Sequence, residues 1–292
     1  MSAYPQRVRS KTRSRIRTFV DVWVDVFAKD NLLTYASAIA FQALVALVPL
    51  VLLGLALLDA LGKQSVWTNG LRPGIEERLT PASYGAVDDT IDRIFRSSSA
   101  PLIAFAALAV VWEVSGAVRA AMGALNRVYD VEETRGWKRR FPISLLIALA
   151  ISLALIGAAL AIGALPEMAA DGGAWHVVLL VVRWPLAILL LAAATAILFG
   201  FAPTKRRPWR WISTGSAFVI VGWLGASILF KLYVTSVASF TSPVGNLTVI
   251  LVLTAYLYTS SIILLLGGEL DELLRKDATR EQLGIIGRLR RA

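Results

Sequence analysis

The chain has no cysteine and a single histidine, His176, among 292 residues. Disulfides and thiolate chemistry are excluded, and so is any metal site needing two imidazoles. Charge is scarce too: 17% of the residues are charged, against 57% hydrophobic. A soluble domain of this length carries more charge and shorter apolar runs. The mean hydropathy of +0.65 argues for an integral membrane protein. The sequence contains no GxxxxGK[ST] phosphate loop, since Gly62-Lys63 is followed by Gln64. It has no HExxH and no GxSxG elbow. A two-metal nuclease needs a cluster of His and Asp ligands, whereas the apolar spans offer one carboxylate, Glu113. No catalytic residue, metal ligand or cofactor is therefore assigned, and the chain reads as a non-enzyme.

What is present is apolar length. Runs of about 20 apolar residues are long enough to cross a bilayer as helices. Six occur, at roughly 36–58, 101–125, 142–165, 177–201, 212–234 and 244–268. The expected fold is all-α and polytopic: a six-helix membrane domain over 36–268, preceded by a basic segment 1–35 and followed by a tail 269–292. Pro101, Pro142 and Pro243 stand where a first-turn proline costs no hydrogen bond.

The net charge of +10 follows the membrane pattern rather than that of a nucleic-acid binder. Of 30 Lys and Arg, 22 fall in four segments on one side: 1–35, 126–141, 202–211 and the tail from 269. Five lie in the long first loop on the other side, and three are inside spans. Excess positive charge marks the cytoplasmic side, so both termini are expected there. The charge is spread over every cytoplasmic segment, which suits anionic lipid headgroups as partners and disfavours nucleic acid. The first 18 residues lack an apolar core, so the first span is expected to serve as the targeting signal.

Two further segments read as helical. In 14–28, Ile16, Phe19, Val20, Trp23 and Phe27 fall at helical spacing, predicting an amphipathic helix at the inner membrane surface. The loop 59–100 is too long to be structureless. Its stripe Val87, Ile91, Ile94 and Phe95 predicts one or two short helices capping the outer face.

Three stretches are distinctive: KDNLLTYASAIAFQALVALVPLVLLGLALL (29–58), NRVYDVEETRGWKRR (126–140) and NLTVILVLTAYLYTSSIILLLGGELDELLR (246–275). The chain resembles the YihY/virulence factor BrkB family of bacterial inner-membrane proteins over nearly its whole length. Its most specific pieces are the N-x-x-Y-x-V-E-E-T-R turn and the L-L-L-G-G-E-L-D ending of the sixth span. Gly268 stands where the family has Ala. The resemblance implies a bacterial inner-membrane location and roles in envelope biology or lipid movement. The family's old ribonuclease label finds no ligand set here.

Candidate site residues follow from cost. Glu113 lies roughly 18 Å below the outer end of its span, where a bare charge costs at least about 2.5 kcal/mol. Gly116, Ala117, Ala120 and Gly123 share its face, a small-residue stripe suited to close helix packing. Glu113 is therefore expected to face the bundle, paired with Arg183 or lining a wet cavity, with Gln42 approaching from the first span. Arg119 and Lys231 are expected to snorkel toward the nearer interfaces. At the cytoplasmic corner, Glu132 and Glu133 are expected to pair with Arg135, Lys138 or Arg139. Glu269 is expected to point inward and bond the second or fourth cytoplasmic loop. Two functions fit: a motorless transporter or flippase for a lipid or other amphiphile, or a structural or assembly protein of the envelope.

Overall fold

The computed structural model describes residues 31–76, 81–97, 100–163, 174–205, 209–236 and 243–278. The amphipathic segment 14–28 and most of the tail lie outside the described residues. The helices are α1 (Leu32–Ala60), α2 (Arg72–Glu76), α3 (Pro81–Ser97), α4 (Ala100–Val128), α5 (Trp137–Gly163), α6 (Ala174–Phe201), α7 (Trp209–Ser236) and α8 (Pro243–Ala278). A π-helical turn, Val66–Leu71, precedes α2. There is no strand among the described residues. Helices α1, α4, α5, α6, α7 and α8 are each long and apolar enough to cross a membrane.

Pro101 and Pro243 stand in the first turns of α4 and α8, as expected, but Pro142 lies inside α5. That helix starts earlier because Gly136 supplies its first carbonyl, which accepts from the amides of Arg139 and Arg140. The extra turn carries Trp137 and Phe141, stacked at 5.1 Å, with Trp137 72% exposed. An amphipathic ring at a span end is the usual interfacial anchor.

The spans pack as a ring in chain order: α1 against α4 and α8, α5 between α4 and α6, α7 between α6 and α8. Short connections favour such antiparallel neighbours. Helix α4 also touches α8 inside the ring. Lipid is as apolar as leucine, so close packing and not water exclusion must hold these helices together. Small residues allow it. A Cβ on Gly116 would come within 2.5 Å of Gln42 Oε1, and one on Gly123 within 2.8 Å of Tyr35. Phe41, Val48, Leu108, Leu146 and Leu224 face outward in the lipid-exposed belt expected of such a bundle.

The core is lopsided. Its main cluster joins Leu32, Met122, Leu125, Ala148, Phe199, Val219 and Leu265, one or more from each span, all toward the end where the basic loops lie. Among the described side chains, the buried residues of α7 run only from Gly215 to Ala226, and those of α8 from Ser261 to Leu273. Helices α1, α4 and α5 bury residues much further toward the opposite end, with Leu53, Ala106 and Val110 forming a second cluster.

At that opposite end, Trp67 and Ile91 pack on Leu55 of α1, with Val87, Ile94 and Phe95 around them. The expected stripe of α3 thus caps α1. Arg72 Nη2 reaches Asp88 at 2.6 Å and its Nε donates to Tyr84 Oη at 2.8 Å, tying α2 to α3.

Candidate functional site

The bundle offers two gatherings of polar groups and one apolar cleft. The first is a knot at the basic end. Helix α4 stops in a Schellman-type turn: the amide of Val131 donates to the Asn126 carbonyl and that of Asp130 to the Arg127 carbonyl. Asp130 takes the left-handed conformation, φ 49°, that this turn demands. The turn aims Glu133 at the α6–α7 connection. Arg135 Nε donates to Glu133 Oε1 at 2.9 Å and Arg135 Nη2 to Oε2 at 3.1 Å, the forked pairing of guanidinium and carboxylate. Arg135 Nη2 also donates to the Ala202 carbonyl at 2.6 Å. The Thr204 hydroxyl donates to Glu133 Oε1 at 3.0 Å, and its amide donates to Asn126 Oδ1 at 2.9 Å. Asn126 Nδ2 closes the circuit on Glu133 Oε2 at 2.9 Å. Burial opposes the charged form of Glu133, but the donors from Arg135 and Thr204 outweigh it and hold the carboxyl at about 2.

The expected corner is thus only partly as read. Glu133 pairs with Arg135, and with Arg140 at 3.9 Å, not with Lys138 or Arg139. Glu132 turns out to solvent. The turn points one carboxylate inward and its neighbour outward because consecutive side chains diverge. Asn126 and Thr204 were missed as partners. Asn126 opens the quoted motif, but Thr204 sits in a loop with no sequence signal, 78 residues away.

The α8 end joins the same knot. Glu269, Asp271 and Glu272 are all nearly fully buried, at 4%, 4% and 2% exposure. Asp271 Oδ1 accepts from the Gly215 amide at 2.7 Å, tying α8 to the second turn of α7. Glu272 holds Arg275 at 2.8 Å, and Lys276 reaches Asp130 at 2.7 Å. Glu269 is nearly fully buried beside Gly268, whose face meets Leu125 and Tyr129 of the α4 end.

The second place lies within the membrane. Gln42 does approach the Glu113 face, lying against Gly116 one turn along α4. The expected pairing of Glu113 with Arg183 is not formed: no ion pair or hydrogen bond joins them among the described residues. The reason is topological, since α5 packs between α4 and α6. Arg183 instead lies over the Trp184 ring at 5.5 Å. Lys231 is exposed near the end of α7.

Arg119 does not snorkel to the basic end. Helical side chains lean toward their own N-terminus, which for α4 means deeper into the membrane. Its Nη1 donates to Ser115 Oγ at 2.7 Å and lies 3.4 Å from Ser144 Oγ of α5, while its guanidinium sits 5.4 Å from the Phe141 ring centre. Glu113 and Arg140 are the charges near enough to act on it. So the basic group brought toward Glu113 is on its own helix, six residues on. Glu113→Gln is expected to leave folding intact, because the neutral amide retains the contacts of a half-buried side chain. An unchanged detergent melt checks this, and loss of folded protein would overturn it.

The third place is an apolar cleft of about 520 Å³ between the far halves of α7 and α8. Leu229, Phe230 and Tyr233 line one wall, and Thr248, Leu251, Val252 and Ala255 the other. Toward the basic end it closes where Tyr256 Oη meets Ser227 Oγ at 2.9 Å and the Tyr256 ring packs edge-on to Phe230. Sequence periodicity could not reveal it, because every lining residue is one that lipid would also accept.

Comparison with known proteins gives the family. The family model described as virulence factor BrkB matches residues 23–284. A putative ribonuclease-like protein of Bacillus subtilis (strain 168) is 31% identical, covering 70% of this chain and 77% of that protein. A UPF0761 membrane protein of Rhodospirillum centenum is 26% identical over 85% of this chain and 55% of its own length. One of Stenotrophomonas maltophilia (strain K279a) is 24% identical over 90% of this chain and 62% of its own. The chain therefore spans less than two thirds of these UPF0761 relatives. No solved structure matches.

Proposed function

The chain belongs to the virulence factor BrkB family, and from that premise we propose that this multi-pass membrane protein is a motorless transporter or flippase for a lipid or other amphiphile. It works in the bacterial cytoplasmic membrane with both termini in the cytoplasm, the side to which its excess of Lys and Arg points. The observation that carries the reading is the lopsided bundle. The basic half is sealed by a shared core and a polar knot. The far halves of α7 and α8 part around a cleft of about 520 Å³. A carrier closed on one side and open on the other has this shape. The walls are apolar, while Tyr233, Thr248 and the Ser227–Tyr256 hydroxyl pair supply a few polar groups, which suits a molecule with both characters.

The test uses purified protein in liposomes with labelled lipid confined to one leaflet. Wild type is expected to equilibrate the label. Ala255→Trp fills the cleft from the α8 wall and is expected to slow equilibration about tenfold, the effect of about 1.4 kcal/mol on a barrier. If wild type leaves the label in its leaflet, the reading fails and a structural role in the envelope stands in its place.

A further inference from the structure

Two arginines meet in the groove between α4 and α5 at the basic end: Arg140 only shares Glu133 with Arg135, at 3.9 Å, and among the described residues Arg119 forms no ion pair. Arg119 is held by two serine hydroxyls and an aromatic face. Arg140 Nη2 donates across from α5 to the Arg119 backbone carbonyl of α4 at 2.9 Å, which brings its charge close enough to act on Arg119. Its Nε is covered and makes no hydrogen bond. Glu133 Oε2 stands 3.9 Å from that Nε, too far for one, and both Glu133 oxygens are taken by Arg135. Like charges this close repel, most of all where lipid lowers the local dielectric. Glu113 offsets part of the excess from deeper in the membrane.

The same groove is flanked by aromatic rings that protein does not cover. Trp137 is 72% exposed and Trp112 is 58% exposed, and both pack on Phe141, at 5.1 and 5.8 Å between ring centres. Indole rings at a span end mark the headgroup level, and Trp112 lies deeper, where acyl chains run.

We propose that this groove binds one anionic phospholipid of the adjacent leaflet. The phosphodiester bridges the half-buried guanidiniums of Arg119 and Arg140, and the glycerol and upper acyl chain lie along Phe141 and Trp112. A guanidinium suits this better than an ammonium because it forks onto two phosphate oxygens. The site lies on the opposite half of the bundle from the α7–α8 cleft, so it stands whether or not the protein moves lipid.

Native mass spectrometry tests it, with phosphatidylglycerol and phosphatidylcholine of matched chains added to the full chain. Wild type is expected to retain phosphatidylglycerol preferentially. Arg119→Gln and Arg140→Gln are each expected to reduce retention about fivefold, a change matching about 1 kcal/mol per interfacial basic residue. Lys138→Gln, next along the chain but exposed, is expected to change it less than about twofold. Should an arginine variant fold poorly, brominated lipids read the same site in folded protein. Trp137→Phe should then remove more of the quenching by brominated phosphatidylglycerol than by brominated phosphatidylcholine. Inorganic phosphate is the separate arm: failure to displace the lipid supports a lipid site, and full displacement overturns it. Equal retention of the two lipids, or unchanged retention in both arginine variants, also overturns it.

Discussion

Gly215→Ala is expected to destabilise the protein by on the order of 3 kcal/mol, the upper end for overpacking a well-packed contact. The added Cβ would lie 2.5 Å from the Gly267 carbonyl oxygen and 2.6 Å from Asp271 Oδ2. One obstacle is backbone, so the helices must part rather than a side chain rotate. Parting α7 from α8 also stretches the Gly215 amide bond to Asp271, a buried carboxylate with little other recourse to water. Gly225→Ala is the control, because nothing lies within 4 Å of its would-be Cβ. Thermal melts in detergent separate the two. A Gly215→Ala protein melting with the wild type would mean that α7 and α8 are not this close.

Glu133→Gln is expected to cost roughly 2 kcal/mol at neutral pH, since the charged acceptor of a forked pair is lost and Arg135 is left half-satisfied. The cost stays below that of a fully buried pair because the Arg135 and Glu133 side chains keep 14% and 23% exposure. The effect has a pH signature. Folding lowers the carboxyl from its ordinary 4.5 to about 2. A group lowered on folding contributes its stability fully above its unfolded value, and loses it as pH falls through the folded one. Wild type and Glu133→Gln should therefore differ above pH 4.5 and converge as pH drops toward about 2. Glu132→Lys, on an exposed neighbour, should melt with the wild type across the range. A gap between wild type and Glu133→Gln that ignores pH would show that Glu133 does not act through its charge.

The sequence was most legible where one physical cost dominates. A backbone in lipid must satisfy its own hydrogen bonds, so apolar length alone gave six spans. The small residues after Glu113 announced a close helix contact for a similar reason: only residues without bulk let two backbones approach. Gln42 on Gly116 and Tyr35 on Gly123 are that contact. The α3 stripe likewise reached the Trp67–Leu55 cap its spacing implied.

What the sequence left open were choices among partners. Arg183 was the expected partner of Glu113, and Arg119 was expected to snorkel away from it. The ring order placed α5 between Glu113's helix and Arg183's, and the lean of a helical side chain carried Arg119 back to it. Glu133 had several basic residues within reach along the chain. The direction of the Schellman turn at Asp130 chose Arg135 and then brought in Thr204 from a distant loop. Residue type and spacing along one helix thus determined which groups must avoid lipid and which faces pack. Which distant groups meet was decided only by the tertiary structure, because contact energies between helices depend on rotation and crossing that no single helix encodes. The α7–α8 cleft belongs wholly to that second class: its lining residues are as content against lipid as against each other, so only the packing of the finished bundle opens it.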